Sequence, residues 1–156
     1  MANRPSVDRL LESLPTLSVE DVADAIHRLP DRYFEFFDVA VQHRHIEFLT
    51  QLSSESPVHV MCEWTGHDRV ECTVITYNYP FLFSLITGLL SSSEFEIVEG
   101  EIFTYSKQQT PIQGRVDRRK IHTHIRRRKV VDYFSGRLPR TMGFRKWASE
   151  ITDALR

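Results

Sequence analysis

Eight cationic side chains fall within fifteen residues: Arg115, Arg118, Arg119, Lys120, Arg126, Arg127, Arg128 and Lys129, in the run RVDRRKIHTHIRRRK, with Asp117 as its one acid. A local charge of +7 is chemistry for phosphates or an anionic lipid surface. The whole chain carries −1, so the other residues sum to −8. The glutamates of EFEIVEGE (Glu94, Glu96, Glu99 and Glu101) stand just upstream as an internal partner for the run. A nucleic-acid reading needs aromatics for base stacking, and none interleave with these charges, which weakens that reading.

The other reactive side chains are sparse. The seven histidines include two i,i+2 pairs, His43/His45 and His122/His124. Such a pair converges only on a strand, and neither has a carboxylate or cysteine at ligand spacing, so no metal and no cofactor is expected. Cys62 and Cys72 are the only cysteines and lack CxxC spacing; they read as thiols buried as small hydrophobes. Asp132 is a lone carboxylate in a strand-like run and reads as structural. With no Walker loop and no GxSxG, no catalytic residue is assigned and the chain reads as a non-enzyme.

The elements that would position these groups can be read along the 156 residues, whose 41% hydrophobic and 26% charged content suits one soluble domain with a modest core. No window reaches eighteen apolar residues, and the start MANRPSVDRLLESLP lacks the pattern of a signal peptide, which gives a cytoplasmic, non-membrane expectation. SVEDVADAIHRLP predicts a helix capped by Ser18, with Asp21 as the capping-box acid, Pro30 as its stop and Val22, Ala25, Ile26 and Leu29 on one face. DRYFEFFDVAVQHRHIEFLTQL predicts a second helix through Phe34, Phe37, Val41, Ile46 and Leu49, ended by SSESP. PVHVMCEW and RVECTVITY predict a hairpin around TGHD, with Val58, Val60, Cys62 and Trp64 on one face; a three-residue loop would set Cys62 opposite Cys72.

A helix is predicted from Pro80, whose missing N–H suits a first turn. EFEIVEGEIFTY, interrupted by Gly100, and KVVDYFSGRL predict two more strands, and TMGFRKWASEITDALR an amphipathic helix with Phe144, Trp147, Ile151, Ala154 and Leu155 inward. The order is ααα-β-βαββα. Residues 1–56 then form an N-terminal helical arm, and 57–156 a domain with a basic insertion at 106–129. Pro111, Gly114 and the low apolar content of 106–120 predict a flexible tip near Gly114, with order resuming near Ile121 to Lys129.

TVITYNYPFLFSLITGLLSSSEFEIVEGEIFTYSK resembles the ACT domain, most closely the ACT modules of the bacterial enzyme that uridylylates and deuridylylates the PII signalling protein. Asn78, Pro80, Leu82, Phe83, Ile86, Gly88, Ile97, Ile102 and Thr104 hold the positions of the family pattern Asp-x-Pro-Gly-Leu-Phe, helix with Ile-x-Gly, and strand ending in Ile-Phe-Thr. LPDRYFEFFDVAVQHRHIEFL is similar to the helical linker before the first such module, so the resemblance covers roughly residues 29 to 105. It implies an α+β, ferredoxin-like antiparallel sheet with two helices on one face. The family's last strand is absent after Arg156, and PVHVMCEW is expected to take its place beside RVECTVITY.

The resemblance also implies a regulatory or interaction module that dimerises through a sheet edge or helix faces, or docks on a larger enzyme or signalling protein. An amino-acid effector, glutamine in a nitrogen-signalling setting, would sit at Asn78, Tyr79, Pro80, Phe81 and Leu82. Two departures bear on that site: the family's Asp is Asn78 and its Gly is Phe81. Glycine lets a ligand approach the backbone, whereas phenylalanine fills the same space. Phe81 is therefore a plug or an interface anchor, or else it turns into the core. The Gly-Ser motif with paired aspartates of a nucleotidyltransferase and the metal cluster of HD-type uridylyl removal are both missing. The alternatives are a nucleic-acid or phosphate binder acting through the basic 115–129 segment, or the N-terminal piece of a larger uridylyltransferase-like enzyme.

Overall fold

A computed structural model describes residues 4–107 and 128–156 of the chain. Four helices come first: α1 (Val7–Ser13), α2 (Val19–Arg28), α3 (Asp31–Phe36) and α4 (Val39–Gln51). They are followed by β1 (Val58–Gly66), β2 (Arg69–Tyr77), α5 (Leu82–Ser92), β3 (Glu96–Thr104), β4 (Lys129–Arg137) and α6 (Phe144–Leu155). The strands form one antiparallel sheet in the order β1-β2-β4-β3. This is an α+β fold with flanking helices, consistent in general with a ferredoxin-like arrangement.

Local chemistry explains most of the boundaries. Ser18 Oγ accepts from Asp21 N at 3.1 Å and lies 2.7 Å from the Asp21 carboxylate, so α2 starts where the capping signal stands. The long helix expected over residues 31 to 52 is two helices. Phe37 is extended, and Asp38 caps α4 by accepting from Val41 N at 2.9 Å; this aspartate offers the backbone a competing bond that ends one helix and starts the next. Gln42 Nε2 closes the corner by donating to Phe34 O and Phe37 O. With α1, the N-terminal part thus holds four helices among the described residues, not three.

The sheet is buried on both sides. On one, α1–α4 share a core with Ile75, Phe103, Tyr105, Val131 and Tyr133. On the other, α5 and α6 pack on Val70, Cys72, Val74, Val130 and Phe134. The hairpin is in the register that sets Cys62 opposite Cys72. Both thiols are free, Cys72 fully buried and Cys62 partly so; their mutual hydrogen bond and burial push the Cys72 thiol well up.

Several expectations need correction. Trp64 shares the face of Val58, Val60 and Cys62 as expected, yet is largely exposed. The irregularity in β3 falls between Ile97 and Glu99, not at Gly100. In α6, Trp147 and Ile151 are buried as expected, but Ala154 is exposed and Ala148 packs inward, in step with 3.6 residues per turn. Glycine is required at Gly136, where a Cβ would lie 2.2 Å from Glu96 O and 2.7 Å from the Phe95 ring. Phe95 in turn stacks on Trp147 at 5.2 Å, so the close approach holds α6 to the sheet. No helix among the described residues is long and apolar enough to cross a membrane.

Candidate functional site

Helix α5 does not start at Pro80. Leu82 N–H donates to Tyr79 O at 3.2 Å, closing a turn with Pro80 and Phe81 at its centre, and the helix starts at Leu82. Phe81 has φ 66° and ψ 8°, the left-handed conformation that a turn with proline before it reserves for glycine. A side chain held there costs roughly 1–2 kcal/mol relative to the right-handed region. Nothing of that cost returns through burial, because Phe81 is 80% exposed. It therefore does not turn into the core.

Around it the surface is apolar. Leu85, one turn on from Phe81, is exposed, and Tyr79 is half-exposed. Phe83 stacks on Phe134 at 5.4 Å and reaches Gly100, between the exposed Val98 and Ile102 of the edge strand β3. Of the five loop residues expected to form a ligand site, Leu82 is buried in the core, Asn78 is partly buried and the other three are exposed. Phe81 offers no side-chain cap to the first N–H groups of α5.

Of the eight cationic residues, Arg115, Arg118, Arg119, Lys120, Arg126 and Arg127 lie outside the described residues, as do His122, His124 and the tip at Gly114. Arg128 meets the loop through its backbone: its carbonyl accepts from Asn78 N at 2.6 Å. Lys129 Nζ donates to Leu49 O at 2.5 Å near the end of α4, where the helix dipole favours a cation; burial pulls its pKa down.

Two buried titratable groups stand out. Asp132 is 1% exposed in β4, on the side of the sheet that α5 covers, two residues from Phe134. Neither carboxylate oxygen has a partner among the described residues, and desolvation pushes its pKa up to about 7. Val74 and Ile102 are its neighbours across the sheet, and this surrounding favours the protonated form. His45 is buried on the opposite side, its Nδ1 3.0 Å from the Tyr33 hydroxyl. Burial first, and Arg44 second, lower its pKa to about 3. His43 points elsewhere, to Ser13 Oγ, as an i,i+2 pair on a helix must. Sequence reasoning gave neither His45 nor the full burial of Asp132; the signals available were a polar residue in the apolar face of α4 and a charge inside an otherwise apolar strand.

A concavity of about 560 Å³ lies at the far end of the sheet from the loop, between Trp64, His67 and Arg140. Among the described residues no three His, Cys, Asp or Glu side chains converge to hold a metal ion. The chain matches no protein-family model and no curated protein.

Proposed function

We propose that the chain is a regulatory interaction module of ACT type, which acts by docking rather than by closing on an effector. The observation that carries this reading is Phe81, a bulky aromatic held in a glycine conformation and presented to solvent. A strained backbone that does not serve packing points to function. The occupant that fits best is a second copy of the chain. The exposed apolar side chains of the loop and α5 are continuous, through Phe83, with Val98 and Ile102 on an edge strand, and an edge strand is self-complementary about a twofold axis. In this reading β1 stands beside β2 where the ACT fold has its last strand.

Glutamine, the effector that the resemblance implies, is then bound weakly or not at all. Calorimetric titration with glutamine and a panel of other amino acids tests this. The expected result is no heat at millimolar ligand. Micromolar binding, about −8 kcal/mol, would make the loop a working sensor and overturn the proposal.

A further inference from the structure

On the side of the sheet covered by α1–α4, Glu63, Glu71, Ser135 and Glu99 are successive cross-strand partners in β1, β2, β4 and β3. Like charges set directly opposite, as Glu63 and Glu71 are, destabilise a sheet unless something compensates. Arg44 binds Glu63. Glu71 has no ion-pair partner among the described residues, and its charge helps burial push the Tyr133 hydroxyl up to about 12. The row borders a cleft of about 240 Å³ between the sheet and the α3–α4 corner.

Three aromatic rings wall that cleft. Phe36 lies 4.8 Å from Phe37 and 5.1 Å from Tyr133, each edge to face, and Phe36 stays partly exposed. His45 also lines it and is 1% exposed. Tyr33, which does not line the cleft, takes up its Nδ1, and Nε2 is buried with no partner among the described residues, so this cleft-lining residue keeps an unused hydrogen-bonding nitrogen. Counting Asp38, Glu63 and Glu71 against Arg44, with the histidine neutral, the walls carry −2.

We propose that this cleft binds a small organic cation, a primary ammonium or guanidinium group, seated against the aromatic rings with its N–H groups directed to Glu71 and His45 Nε2. The negative walls disfavour an anion, and a metal ion would need three converging ligands. Aromatic faces attract an organic cation, and a neutral imidazole accepts from it when Nδ1–H donates to Tyr33. The inference is independent of the docking role of Phe81, which lies outside this cleft.

The test is calorimetric titration of the full chain at low salt with agmatine as the guanidinium probe and putrescine as the ammonium probe. At least one should bind at a single site. Glu71→Gln should weaken binding at least tenfold while leaving the chain folded, since it removes a like-charge contact; Phe36→Ala should weaken it several-fold, and Phe81→Gly should leave it unchanged. The His45 ring resonances should shift on binding. No binding of either probe at millimolar concentration, or binding that Glu71→Gln leaves intact, would overturn the proposal.

Discussion

On the side of the sheet that α1–α4 cover, His59 Nε2 is buried without a partner among the described residues, but the two most deeply buried polar side chains keep at least one bond each: His45 to Tyr33 and Gln42 to two carbonyls. On the side that α5 and α6 cover, Asp132 is as deeply buried as His45 and its carboxylate oxygens have none among the described residues. The difference extends to the surface. The helical layer places charge at its margin, Arg32 on Glu101 and Arg44 on Glu63, whereas α5 ends in an apolar lip around an aromatic residue in a glycine conformation. The strained and exposed Phe81 thus stands on the α5 side, apart from the ion-paired margin of the helical layer.

The largest effect should come from the tight point beneath α6. Gly136→Ala brings a Cβ against Glu96 O and the Phe95 ring, and a backbone carbonyl cannot step aside cheaply. A loss of about 3 kcal/mol is expected in urea unfolding, at the upper end for overpacking. Asp132 comes next, with a dependence on pH. Its folded pKa of about 7 exceeds the value near 3.9 expected for the unfolded chain, so between those values the native state holds the extra proton and stability falls as pH rises. Asp132→Asn should therefore stabilise the protein by about 2 kcal/mol at pH 8, with little change at pH 5. Equal effects at both pH values would mean that Asp132 is paired after all.

Smaller effects separate the two sides further. Tyr33→Phe strips His45 of its only partner among the described residues and should cost about 1 kcal/mol in chemical denaturation. Phe81→Gly should do the reverse. It relieves a left-handed phenylalanine, offset by glycine's larger freedom in the unfolded chain, and should raise stability by less than about 1 kcal/mol. A destabilised Phe81→Gly would remove the case for strain at the loop.

Much of this framework could be read in the chain. The Ser18 cap, the Cys62/Cys72 hairpin, the β-α-β-β-α order and the inward Trp147 and Ile151 follow from periodicity and turn chemistry acting over a few residues. The break at Asp38 is not legible, because an aspartate inside an apolar period reads equally well as a solvent-facing helix position. The proline turn before Phe81 is legible in the sequence, but whether Phe81 points inward depends on the turn closing at Leu82. The cleft at His45 could not be read, because it joins α3, α4 and three strands distant in sequence.

The docking claim is most directly tested by sedimentation equilibrium of the chain beside Phe81→Asp, which changes an exposed side chain and leaves the core intact. A concentration-dependent monomer–dimer equilibrium is expected for the unaltered chain. The substitution enters a twofold interface twice and should shift the dissociation constant at least tenfold, about 1.4 kcal/mol. A strict monomer at all concentrations, or a dimer that Phe81→Asp does not weaken, would contradict it.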